Sequence, residues 1–120
     1  MGTYKAEIQL KLPSCNEYIN ACRNNRYAAA TMKKEVEEQI QWFIKKLPKM
    51  KKPVFITFTW IEENKKRDLD GICFAKKFIL DAMQKAGILE NDNAAHVKGF
   101  IDKFEYANQS KVIVELREIE

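Results

Sequence analysis

A chain of 120 residues, 46% of them hydrophobic and with seven Phe and two Trp, is sized for one domain with a real core. Its three cysteines, Cys15, Cys22 and Cys73, have no C-x-x-C spacing, which argues against a disulfide framework and a zinc site; no apolar run suits a membrane span or a signal segment, so a soluble cytoplasmic protein is expected. The net charge of +4 hides an asymmetry: residues 1–67 carry 14 Lys+Arg and 7 Asp+Glu, residues 68–120 carry 7 and 10, so a basic half that suits a polyanion is joined to an acidic one.

Residues 4–12 alternate, with Tyr4, Ala6, Ile8, Leu10 and Leu12 on one face and Lys5, Glu7, Gln9 and Lys11 on the other. This is the pattern of a half-buried strand, ended by Pro13 and Ser14. A polar loop is expected from Cys15 to about Tyr27, carrying Arg23 and Arg26. It is long for a small domain, and long loops are often functional. Residues 28–47 read as a helix through the stripe Met32, Val36, Ile40, Phe43 and Leu47, stopped by Pro48. The basic run Lys45, Lys46, Lys49, Lys51 and Lys52 reads as a solvated linker.

Residues 53–62 form a second strand, apolar or β-branched on both faces and therefore central or covered on both sides. Residues 70–86 read as a second helix, with Gly87 at its C′ position. On a continuous helical wheel Lys77, Asp81 and Gln84 line up beneath Asp70, on the face away from the core. Phe74 and Phe78 widen the apolar surface toward the long loop or a second subunit. Residues 97–106 and 111–118 read as two strands joined by the hairpin Ala107-Asn108-Gln109-Ser110. The expected fold is a single α+β domain over residues 1–120, in the order β-α-β-α-β-β, with a mixed four-stranded sheet and two helices.

The chemistry concentrates in Lys65-Lys66-Arg67-Asp68-Leu69-Asp70. Carboxylates at i and i+2 repel each other, so a fold gains little from them alone. A divalent metal reverses the sign of that repulsion, and three adjacent cations suit a phosphodiester backbone. Taken singly, Asp70 reads as an ordinary helix N-cap and Asp92 as a turn residue; an N-cap explains only one carboxylate of the pair. A helix over 70–86 is about 25 Å long, so Asp92 meets Asp70 only if the chain doubles back. No G-x-x-x-x-G-K-[ST] and no G-x-G-x-x-G is present, and the lone His96 suggests no Ser/His or Cys/His catalysis.

These residues resemble the RusA-like family of crossover-junction endodeoxyribonucleases, Holliday junction resolvases common in prophages. The resemblance is strongest over Lys65–Asp92: Lys-Lys-Arg-Asp-Leu-Asp, then Ala-Lys-Lys-Phe-Ile-Leu-Asp-Ala-Met, then Lys-Ala-Gly-Ile-Leu-Glu-Asn-Asp. Leu12-Pro13-Ser14-Cys15-Asn16 is similar to the family's turn after its first strand. The resemblance implies that Asp68, Asp70 and Asp92 hold Mg²⁺ or Mn²⁺, so that the segment after the second helix returns to the metal. It implies a catalytic lysine at Lys77, with Lys76 as the substitute, since Phe74 stands where the family's simplest spacing puts it. Gly71 departs from the Asn common among relatives.

The implied activity is metal-dependent nicking of branched DNA, a four-way junction, by a homodimer in a bacterial or phage-infected cell. Neither a membrane nor a small-molecule cofactor is expected. Lys65, Lys66, Arg67, Arg23 and Arg26 would hold the DNA backbone. The alternatives are a catalytically inactive DNA-binding module of the same fold and a nuclease for flapped or forked DNA.

Overall fold

Strand β1 (Thr3–Ile8) ends four residues before the expected 4–12 but keeps the alternation within it, with Ile8 buried, Tyr4 and Ala6 half-buried and Lys5 and Glu7 exposed. The structure is a computed structural model and describes residues 2–119. Two helices follow, α1 (Cys15–Asn24) and α2 (Arg26–Ile44). The expected polar loop is therefore a correction: most of it is α1. Ser14 caps this helix, its hydroxyl accepting from the Glu17 N–H at 3.3 Å while the Glu17 carboxylate accepts from the Ser14 N–H. That reciprocal pair supplies two of the orphan backbone donors with partners. Asn25 caps α2 through its side chain, which accepts from the Tyr27 N–H at 2.7 Å.

Strand β2 (Val54–Glu62) is central, as expected. Its Val54, Ile56, Phe58 and Trp60 are buried beneath the helices. Burying side chains of this size contributes about 1.5–3 kcal/mol each. The opposite face is not covered: Thr57 and Thr59 share a shallow polar groove with Lys5, Lys103, Glu105 and Glu115.

The second helical segment is two helices, α3 (Leu69–Cys73) and α4 (Lys76–Lys85). Between them the Lys77 N–H reaches back to the Phe74 carbonyl and the Phe78 N–H to that of Ala75, spans of three residues rather than four. Such tight turns advance the wheel by about 120° per residue instead of 100°, so the phase of α4 no longer follows from Asp70. The break lets Phe74 and Phe78 flank Tyr18 of α1, with ring centroids 5.8 and 5.7 Å away. Gly87, at φ 77°, ends α4 with the Ile88 N–H on the Met83 carbonyl and its own N–H on Gln84.

Strands β3 (Val97–Tyr106) and β4 (Lys111–Glu118) have the predicted spans, yet they are not a hairpin. The order is β1-β4-β2-β3, with β3 parallel to β2 and β4 antiparallel to both β1 and β2. The connection 107–110 steps across the end of β2, where the Ala107 N–H binds the Glu62 carbonyl. The result is one α+β core, with the helices against one face of a mixed four-stranded sheet. No helix among the described residues is long and apolar enough to cross a membrane.

Candidate metal-phosphate cleft

The segment 63–68 leaves the C-terminal end of β2 and turns into α3 against the N-terminus of α1. Arg67 fixes this turn. Its guanidinium is only 15% exposed; Nη1 donates to both Glu62 oxygens, at 3.1 and 3.3 Å, and Nη2 to the Leu12 carbonyl at 2.7 Å. Arg67 thereby ties the end of the first strand's extension to the end of β2. Its guanidinium is thus already paired within the fold, although Arg67 also lines the cleft described next. Lys65 and Lys66 are exposed, and so are Arg23 at the end of α1 and Arg26 at the start of α2.

Asp68 and Asp70 line one cleft of about 220 Å³ together with Lys66, Arg67, Gly71, Ser14, Cys15 and Asn16. Both carboxylates are exposed, and neither is in an ion pair among the described residues. Asp68 occupies the N-cap position of α3 but makes no side-chain cap bond, and Asp70 accepts only from the Gly71 N–H, at 3.0 Å. No cap bond engages Asp68, and the Gly71 N–H engages one oxygen of Asp70, so most of the acceptor capacity of the pair is open. Two hard oxygen donors with open valence suit Mg²⁺, which is usually held by one or two carboxylates, with water and substrate phosphate completing the shell. The N-terminus of α1 and Lys66 border the same space and favour an anion. The cleft therefore sets two carboxylates beside a helix N-terminus and a lysine.

Asp92 is not part of it. The Ile88 carbonyl accepts from the Met50 N–H, the His96 carbonyl accepts from the Val54 N–H, and Val97 pairs with Val54. Residues 88–97 therefore sit at the N-terminal end of β2, whereas the cleft follows its C-terminal end. Nine strand residues separate the two ends, about 26 Å at 3.3 Å per residue. Asp92 instead lies in a turn whose N–H groups bind the Asn91 side chain. Among the described residues no three His, Cys, Asp or Glu gather where they could hold a metal ion. The return of Asp92 to Asp70 within one chain is the expectation that the topology does not meet.

Neither candidate lysine lines the cleft. Lys77 pairs with Asp81 at 3.5 Å and is 61% exposed. Asp81 also takes Lys33 of α2 at 3.1 Å, so it faces α2 rather than open solvent. Lys76 points to the sheet: it bonds Asp102 at 2.8 Å, and its ammonium lies 4.6 Å from the Phe100 ring centroid. Cys73 sits beside Asp70, and burial above all, then the Asp102 charge, pushes its thiol pKa up. Ser14, Cys15 and Asn16, quoted above only as a turn after the first strand, are a helix start lining the cleft; the S-x-x-E spacing of Ser14 and Glu17 is the signal that marks it. No protein-family model matches the chain, and no curated protein matches it significantly.

Proposed function

We propose that the protein is a metal-dependent endodeoxyribonuclease of the RusA-like kind, nicking four-way DNA junctions, with Asp68 and Asp70 as its metal-binding pair. The observation that carries the reading is this uncapping D-x-D pair in one cleft with a helix N-terminus and Lys66. A bound Mg²⁺ supplies a water of lowered pKa and neutralises charge on the scissile phosphate. The chain's own residues do the positioning. Asp68 and Asp70 hold the ion on the strand-to-helix turn that Arg67 keeps rigid. The α1 N-terminus orients a phosphate oxygen through its unpaired N–H groups, and Lys66 neutralises the adjoining charge. This gives Lys66 the role that the resemblance assigns to Lys77.

The homodimer implied by the same resemblance gains a second purpose. Asp92 reaches the ion only from another copy, so in this reading each site takes Asp68 and Asp70 from one subunit and Asp92 from the other. The free edge of β3 supports such pairing, since Phe100, Ile101 and Tyr106 there stay 41–45% exposed. The direct test incubates purified protein with labelled four-way, flapped and forked DNA, each with Mg²⁺ and with chelator. Metal-dependent paired nicks in the four-way substrate are expected. Binding without nicking would favour an inactive DNA-binding module, and preferred cutting of flaps or forks would replace the junction as substrate.

A further inference from the structure

A second surface, sharing no lining residue with the carboxylate cleft, lies between β1 and the last turn of α2. It is a groove of about 510 Å³ bordered by Trp42, Phe43, Lys5, Lys45 and Lys46. Trp42 is 66% exposed, while the chain's other tryptophan, Trp60, is 2% exposed and serves the core. An indole so open contributes little to folding. The Lys45 ammonium sits 3.4 Å from the Trp42 ring centroid, a cation held on the aromatic face. The one carboxylate in the groove, Glu7, is already engaged by Lys111 at 3.0 Å, which leaves the three lysines to set the local sign.

An exposed aromatic ring among cations is the arrangement that binds unpaired nucleotides: a base stacks on the ring, and phosphates meet the ammonium groups. We propose that this groove binds a short stretch of single-stranded nucleic acid, with a base on Trp42 and phosphates on Lys5, Lys45 and Lys46. A duplex suits it less, because its bases are already stacked. The ordinary reading of Lys45 and Lys46 is that they offset the negative end of the α2 dipole. That reading explains the lysines and leaves the open tryptophan without a purpose. The proposal does not rest on catalysis in the cleft.

The test is a fluorescence titration of the full chain with short oligothymidylate, because of the two tryptophans only Trp42 is exposed enough to meet a stacked base. Saturable quenching is expected, and Asp70→Asn should retain it, so that failure of the nuclease reading is distinguishable from failure of this one. Trp42→Ala should weaken binding, followed by anisotropy of labelled oligothymidylate, about tenfold, within the range known for one stacked base. Lys45→Gln with Lys46→Gln should lower the slope of log affinity against log salt by about 0.7 per lost contact. Circular dichroism checks the fold of each variant, and Trp42→Phe, which keeps a ring, should restore most of the affinity lost in Trp42→Ala. Absent quenching, equal affinity in wild type and a folded Trp42→Ala, or equally good competition by duplex DNA or polyglutamate would overturn the proposal.

Discussion

Arg67 and Lys66 are neighbours in the chain with the same charge and opposite environments. Both line the cleft, but Arg67 is half-buried and paired with Glu62 and Leu12, while Lys66 is exposed. Arg67→Ala should cost about 3 kcal/mol in urea denaturation, because it strands the Glu62 carboxylate, itself 10% exposed, without its partner. Neutralising Lys65 and Lys66 together should leave stability unchanged. It should weaken DNA binding irrespective of sequence and lower the salt slope on duplex DNA by about 0.9 per lost phosphate contact. An unchanged slope would remove these lysines from the binding surface. Glu118 is a further residue whose charge matters. Its carboxylate accepts from the Lys51 N–H at 2.9 Å and the Lys52 N–H at 3.2 Å. The Lys51 bond above all holds its pKa below the ordinary 4.5. The folded state therefore favours the ionised form, and that stabilisation is complete above 4.5 and fades as the pH falls through the lowered value. Thermal melts should show wild type losing stability on acidification through this window more steeply than Glu118→Gln; equal steepness would contradict it.

The elements differ in how far their residues announce them. β1, β2, β3 and β4 were legible because alternation and β-branched runs report burial directly, as in Val112, Val114 and Leu116. Gly87 was legible because only a residue tolerant of positive φ closes α4 in this way. α1 was not, although Cys15, Tyr18, Ile19 and Cys22 recur at helical spacing: that stripe is short and none of it is fully buried, and polar residues surround it. The break between α3 and α4 was also hidden. Nothing between Gly71 and Lys76 forbids a continuous helix; the tertiary contact of Phe74 and Phe78 with Tyr18 goes with the tight turn. The break also leaves the two lysines with different partners, Asp102 for Lys76 and Asp81 for Lys77. Lys76→Ala should cost about 1–2 kcal/mol, since Lys76 holds Asp102, which also accepts from the Trp60 indole at 2.9 Å. Lys77→Ala should stay within about 0.5 kcal/mol of wild type. A melt in which Lys77→Ala is the more damaging would show that the helix runs through unbroken.

At the scale of the molecule the decisive feature is strand order. Because β3 runs parallel to β2, the chain must cross over from one end of the sheet to the other, and the α3–α4 segment carries it. The same crossover that places Asp68 and Asp70 after the end of β2 places Asp92 before its start. The D-x-D half of the candidate site was legible in the sequence, since its spacing is local. The Asp92 half was not, because it depends on which β-strand end the chain reaches. A shared site makes a sharp forecast for mixtures. Asp70→Asn and Asp92→Asn homodimers should each be inactive; on mixing and subunit exchange, the hybrids should regain one intact site and nick single strands of a junction. Mixtures as inactive as their parents would contradict a site shared between subunits.

The central claim is that Asp68 and Asp70 form the metal site of a DNA-nicking enzyme. Its most direct measurement is cleavage of a labelled four-way junction by wild type and Asp70→Asn side by side, each with Mg²⁺ and with chelator, with junction binding followed by gel shift. Wild type should nick only with Mg²⁺. Asp70→Asn should not nick at all, yet should bind the junction at least as tightly, since it loses a negative charge facing phosphate. Nicking by Asp70→Asn at the wild-type rate, or no nicking by wild type that binds the junction, would contradict the claim.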